Sequence, residues 1–237
     1  MAKQFFILKP KWKTVEKIIQ FDNGRGCRLS GILNEPKGTS SRLVLLCHGL
    51  NSHKESTTNI ALNKILSKHR LATFRFDFFG HGESEGALAD RSVKEFVIDI
   101  EKAVKLLKTR GYKKFGICGA SFGGVATVIA ATKIRGIHAI ALKAPGMGQS
   151  SRYLPNYKKD FATKSWIKAG TKIKIPTIII HGTADDNVEL RLGEELAEAI
   201  PSSKLEKIKG ADHRFTKKKD FHKCVRVMAD FLIAHLK

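Results

Sequence analysis

Apolar residues fall into short runs separated by longer amphipathic stretches. Arg42–Cys47 (RLVLLC), Ala72–Phe76 (ATFRF), Lys114–Cys118 (KFGIC), Ile137–Leu142 (IHAIAL) and Ile175–His181 (IPTIIIH) are nearly continuous apolar segments. Runs of that length and composition predict strands buried on both faces of a parallel sheet. Val15–Phe21 and Cys27–Asn34 predict two further strands, joined by the hairpin signal Asp22-Asn23-Gly24. Lys204–Ile208 predicts the last strand.

Between the strands the period changes to that of a helix. Ser92 with Glu95 forms a capping box, and Val93, Phe96, Val97, Ile100, Val104 and Leu107 then share one face. Thr57–His69, a small-residue segment after Ser121, Glu189–Ala199 and a C-terminal segment opened by Asp220 predict the other helices. The last of these carries Val225, Met228 and Leu232 at core spacing. About eight strands and five helices result. Strands separated by helices predict a mostly parallel, doubly wound α/β sheet.

Residues 1–237 show no repeat, low-complexity tract or linker, and one domain is expected. A chain of 237 residues can bury roughly 70% of its unfolded surface, enough for a core without disulfides or metal. No apolar run reaches the roughly 20 residues that span a bilayer. The apolar run Phe5–Leu8 is shorter than a secretory signal needs. Cys27, Cys47, Cys118 and Cys224 form no C-x-x-C pair and no zinc spacing. A reduced, cytoplasmic setting is expected.

Charge is the unusual feature: 43 Lys and Arg against 22 Asp and Glu give +21. Such a field attracts nucleic acid, anionic surfaces or acidic substrates. The basic residues are spread along the chain, with short clusters at Lys9–Lys13, Lys158–Lys159 and Lys217–Lys219, and no RNA-binding motif accompanies them. A solvated basic surface is expected rather than a nucleic-acid partner.

The chemistry concentrates where strands end. Gly119-Ala120-Ser121-Phe122-Gly123 lies between a strand and a helix, the context of a G-x-S-x-G nucleophile elbow. The glycines are needed because side chains two positions either side of a tight turn would crowd it. The turn lifts the Ser121 hydroxyl above the sheet and leaves the Phe122 N–H at a helix start, free for an oxyanion. Asp185 follows the strand ending at His181, and His213 follows the strand Lys204–Ile208. The order Ser121, Asp185, His213 is that of α/β hydrolases, although Asp186 competes with Asp185 for the acid's role. A second oxyanion donor is expected at Leu50, after His48-Gly49, with Gly49 allowing close approach to substrate. His48 is expected beneath that loop as a structural residue. Asp77–Ser84 (DFFGHGES) is expected to be a stabilising turn rather than a metal site, since it lacks helical ligand spacing.

In LSGILNEPKG, CHGLNSHKES, FRFDFFGHGESEG, GICGASFGG, IPTIIIHGTADDNV and GADHRF the chain resembles the α/β-hydrolase superfamily over nearly its whole length. Within it, the chain is similar to compact bacterial serine esterases of the feruloyl/cinnamoyl and acetyl esterase type. These share their pattern with serine aminopeptidase-like hydrolases and monoacylglycerol lipases. The resemblance implies an eight-stranded, mostly parallel sheet flanked by helices, with a short lid insertion at 144–174. It implies Ser121 as nucleophile, Asp185 as acid, His213 as base, the Leu50 and Phe122 amides as oxyanion donors, and no cofactor or metal. Leu50 stands where many relatives carry an aromatic residue.

The lid holds Met147, Tyr153, Leu154, Tyr157, Phe161 and Trp166 among several lysines and Arg152. Met147, Tyr153 and Trp166 are the expected substrate contacts from this stretch, together with Gly49. Asp160 is its only acidic residue, which argues against holding the amino group of a peptide. The expectation is therefore a small-molecule carboxylic ester as substrate. The rivals are a thioesterase, a monoacylglycerol lipase or acyltransferase, and a non-catalytic basic binding protein on the same scaffold.

Overall fold

The computed structural model describes residues 14–37, 41–154 and 164–237. Eight strands form one sheet: β1 (Thr14–Asp22), β2 (Arg28–Pro36), β3 (Arg42–Cys47), β4 (Ala72–Phe76), β5 (Lys114–Ala120), β6 (Ile137–Lys143), β7 (Thr177–Gly182) and β8 (Ser203–Ile208). Their order is β1-β2-β4-β3-β5-β6-β7-β8. β1–β2 and β2–β4 pair antiparallel, and every later pairing is parallel.

The hairpin expected at Asp22-Asn23-Gly24 forms, through a loop wider than a two-residue turn. Asp22 pairs with Arg28, so five residues make the connection. The buried Asn23 side chain accepts from the Arg25 and Cys27 N–H groups at 2.9 and 3.3 Å, which closes a wider loop. An Asx side chain that bonds its own backbone competes with a tight turn and has won here.

Alternation within the central strands divides the core between the two faces. Leu43, Leu45 and Cys47 of β3 face one side, against α2 (Val93–Thr109) and α3 (Phe122–Ala131). Val44 and Leu46 face the other, with Leu62 and Leu66 of α1 (Thr57–Lys68) and Met228 and Leu232 of the C-terminal helix. The remaining helices are α4 (Ser165–Gly170), α5 (Leu190–Ala199) and α6 (Lys218–His235). The C-terminal helix α6 begins two residues before Asp220, which lies in its first turn.

In α2 the Ser92 hydroxyl accepts from the Glu95 N–H at 3.3 Å, as a cap does. The Glu95 carboxylate turns to Arg25 instead of back to the cap, so only half of the expected box forms. The stretch expected as a lid is described in part. Its described residues include a 3₁₀ turn, Gln149–Ser151, and α4. Tyr157, Lys158, Lys159, Asp160 and Phe161 fall outside the described residues, as does the Lys9–Lys13 cluster.

From β3 the chain goes to β4 on one side, then crosses over to β5 on the other, so the winding direction reverses at β3. Loops after β3 and β5 therefore diverge, and a crevice opens at the carboxyl ends of these strands. Among the described residues no helix is long and apolar enough to cross a membrane.

Candidate active site

Three loops at that edge bring Ser121, His213 and Asp185 together. His213 Nε2 lies 3.0 Å from Ser121 Oγ, and His213 Nδ1 lies 2.7 Å from Asp185 Oδ2. Asp186 is exposed, and the described carboxylate on His213 is that of Asp185. The Ala184 N–H donates to the Ala211 carbonyl at 3.0 Å, tying the acid loop to the histidine loop.

Ser121 sits at φ 50°, ψ −122°, a conformation that costs a non-glycine residue of order 1–3 kcal/mol. The surroundings enforce it. The Ser121 N–H donates to the Lys143 carbonyl at 2.8 Å, and its own carbonyl accepts from Gly124 at 2.8 Å as α3 begins. A Cβ on Gly123 would collide with the His48 carbonyl oxygen and stand 3.0 Å from that of Cys47. One on Gly119 would meet Thr127 Oγ1 at 2.5 Å and Gly124 Cα at 2.8 Å. Both elbow glycines are thus demanded by backbone that cannot yield. Gly123→Ala is expected to cost about 3 kcal/mol, at the upper end for overpacking, and a urea melt would measure it.

Gly49 approaches the elbow equally closely: an added Cβ would lie 3.3 Å from Ala120 O and Ser121 Cβ. His48, beneath this loop, is fixed through both ring nitrogens. The Phe78 N–H donates to Nε2 at 3.1 Å, so Nδ1 carries the proton and donates to the Gly49 carbonyl at 2.7 Å. Burial pushes its pKa down to about 3. His48 is therefore a neutral structural residue, as its position beneath the loop suggests. Its bond has a consequence: in a trans peptide the C=O and the following N–H point in opposite directions. With the Gly49 carbonyl held on His48, the Leu50 N–H is turned away from the buried ring, toward the cavity that Gly49 and Leu50 line. Phe122 buries its ring edge-on against Phe96, centroids 5.0 Å apart. Its N–H opens α3, where no intrahelical acceptor exists.

Asp185 is held from all sides. Its Oδ1 accepts from the N–H groups of Asn187 and Val188 at 3.0 and 2.8 Å. Its Oδ2 lies 2.7 Å from His213 and 3.2 Å from His181 Nε2. Burial opposes ionisation, but the bonds from His181, His213 and Val188 outweigh it and hold the carboxyl well below its usual range. His181 was not singled out from the sequence. It is fully buried, donates from Nε2 also to the Val188 carbonyl at 3.0 Å, and packs against Gly193 of α5. The histidine ending β7 just ahead of the acid was the available signal.

The DFFGHGES segment forms the expected turn, with a centre the sequence did not reveal. Buried Asp77 accepts from the Lys54 N–H and Nζ, both at 2.6 Å, and from the Glu83 N–H at 3.0 Å. This ties the loop after β3 to the loop after β4. His81 donates to the Phe79 carbonyl and accepts from Arg91, which uses both nitrogens. Among the described residues no group of three or more His, Cys, Asp or Glu is placed to hold a metal ion.

The cavity above Ser121 has a volume of about 690 Å³. Gly49, Leu50, Ser121 and His213 line it, with Asn51, Ser52, Ser56, Thr57 and Thr58 making its wall polar. The three lid residues expected as substrate contacts do not line it. Trp166 is 2% exposed and packs into the core, because so large an apolar surface is worth more buried than facing a polar cavity. Met147 is likewise buried and borders a separate cavity of about 120 Å³. Tyr153 is 93% exposed. Lys143, which follows the apolar run Ile137–Leu142 and belongs to no motif, does line the main cavity.

The architecture recurs in solved structures. Est1E from Butyrivibrio proteoclasticus, in its structure with ferulic acid bound, superposes with a TM-score of 0.81 at 21% identity, covering 92% of this chain and 98% of that one. The Pyrococcus furiosus esterase Pf2001 does so with a TM-score of 0.78 at 21% identity, covering 94% and 93%. At such identities the likeness is one of fold, and that fold is the α/β hydrolase. The model of the serine aminopeptidase S33 family matches residues 38–169, more than half of the sequence, and the chain belongs to that family. α/β-Hydrolase domain-containing protein 17C of Xenopus tropicalis is 31% identical over 133 residues, 54% of this chain and 42% of that protein. The aho-3 protein of Caenorhabditis elegans is 28% identical over 135 residues, 55% and 40%. The aligned stretch thus spans about two fifths of these curated relatives.

Proposed function

We propose that this protein is a cofactor-free serine hydrolase that cleaves carboxylic esters of small molecules. The observation that carries the reading is the hydrogen-bonded series Ser121–His213–Asp185 opening into a polar cavity. His213 Nε2 accepts the Ser121 proton as Oγ attacks the ester carbonyl, and Asp185 holds the proton of the imidazole on Nδ1 and stabilises the imidazolium. The Leu50 and Phe122 N–H groups face the developing oxyanion. His213 returns the proton to the departing alcohol. Water, deprotonated by the same nitrogen, then attacks the acyl-enzyme and releases the acid.

Family membership supports hydrolysis as the reaction class. The polar wall and moderate volume favour small acyl groups over long lipid chains. The test is a 4-nitrophenyl ester series from acetate to palmitate, run beside aminoacyl 4-nitroanilides. Turnover is expected on the short esters, together with labelling by a fluorophosphonate that Ser121→Ala abolishes. Turnover of the anilides alone would make the protein an aminopeptidase. A preference for palmitate would point to lipids.

A further inference from the structure

We propose that Lys143 recognises a carboxylate on the substrate, so that the ester taken by this site is an anionic one. This rests on the esterase reading and names its substrate class. Lys143 ends β6 beside the nucleophile: it pairs with Ala120 in the sheet, and its carbonyl accepts from the Ser121 N–H. Lys143 is among the residues that line the cavity containing Ser121 and His213. The stem runs over the buried ring of Phe215, with Nζ 5.1 Å from the ring centroid.

Lys143 has an ammonium with three donors, yet among the described residues no carboxylate lies within ion-pair distance of it. Buried Lys54 and part-buried Lys164, by contrast, both reach carboxylates. Withdrawing a cation from water is costly, and burial draws the Lys143 pKa down although Asp185 and Asp212, beyond ion-pair distance, pull it the other way. An anion entering the cavity would offset that cost directly beside the reacting carbonyl.

The other charges in the cavity narrow the choice. Arg214, exposed at the rim, adds a second cation. Asp212 also lines the cavity, but its carboxylate accepts from the Thr216 N–H at 2.8 Å. Asp186 is exposed at the rim. Two carboxylates nearby penalise a phosphate dianion more than a carboxylate monoanion. A carboxylate is therefore the better match to one lysine at the floor.

The test compares esters within matched pairs. On the acyl side these are 4-nitrophenyl hemiglutarate and its methyl-capped diester. On the alcohol side they are 4-carboxyphenyl butyrate and its methyl ester. Wild type is expected to favour the anionic member of one pair by about tenfold or more in kcat/KM, the range of a charge-assisted hydrogen bond. Lys143→Met is expected to bring that ratio near one, Lys143→Arg to restore part of it, and added salt to lower it in wild type. The ratio within one variant cancels any general damage to the fold. A wild-type ratio at or below one in both pairs overturns the proposal, as does a ratio unchanged in Lys143→Met. If wild type cleaves no ester, the esterase reading fails by itself, and calorimetry with glutarate and with inorganic phosphate decides the anion site. Glutarate binding lost in Lys143→Met upholds it. Absence of glutarate binding, or tighter binding of phosphate, overturns it.

Discussion

Ser121→Ala is expected to lower ester hydrolysis by roughly 10⁴- to 10⁶-fold, because loss of the nucleophile removes the acyl-enzyme route altogether. The fold is expected to survive, since the hydroxyl's described bond is to His213 at the cavity surface rather than to the core. Circular dichroism and the melting temperature should match wild type while turnover of 4-nitrophenyl acetate falls to background. Ser121→Gly separates catalysis from strain. At φ 50°, ψ −122° glycine pays none of the steric penalty that serine does. That variant is expected to be equally inactive but more stable by about 1 kcal/mol, raising the melting temperature by roughly 2–4 °C. A glycine variant that melts below wild type would mean that the elbow is not a strained position.

Asp185→Asn is the second large effect, a loss of about 10⁴-fold. The local geometry dictates why. Oδ1 accepts two backbone N–H groups, from Asn187 and Val188, so an asparagine must place its carbonyl oxygen there. Its NH₂ then faces His213 Nδ1, which can no longer donate. The imidazole shifts its proton to Nε2 and presents a donor to Ser121 where an acceptor is needed. His181 Nε2 also loses an acceptor but keeps the Val188 carbonyl. The effect is expected on kcat more than on KM.

The same substitution changes the acid limb of stability. A carboxyl held below its unfolded pKa of about 4 contributes stability that is present above that pH and is lost as pH falls through the folded value. The wild-type advantage over Asp185→Asn in urea melts is therefore expected to be full at pH 7 and to shrink toward pH 3. A gap that does not change with pH would show that the carboxylate's charge contributes nothing.

Much of this was legible before any coordinates. The apolar runs Arg42–Cys47 and Ile137–Leu142 appear as β3 and β6, and the one-faced pattern from Val93 to Leu107 appears as α2. Elements of that kind are set by periodicity and burial, which are properties of neighbouring residues. Ser121, Asp185 and His213 stand out in the sequence because each follows a strand inside a recognisable local motif. Met147, Tyr153 and Trp166 are not among the residues that line the cavity, and the chain gives no local signal of where they turn. An irregular segment has no period, so nothing in the chain says which of its aromatics turn inward.

Local sequence is enough for the order of strands and helices along the chain, for the G-x-S-x-G turn signal at Ser121 and for the loops that carry Asp185 and His213, because each of these is written within a few neighbouring residues. Tertiary structure decided what depends on groups distant in the chain. It chose Asp185 over Asp186, because only one of two adjacent side chains can face His213, 28 residues away. It placed His181 on the same carboxylate and clamped the Gly49 carbonyl onto His48, which turns the Leu50 N–H toward the cavity. It also set Lys143 beside Ser121 through the parallel pairing of β5 with β6. A strand's neighbours follow from how the whole sheet closes its core, and no short stretch of sequence contains that information.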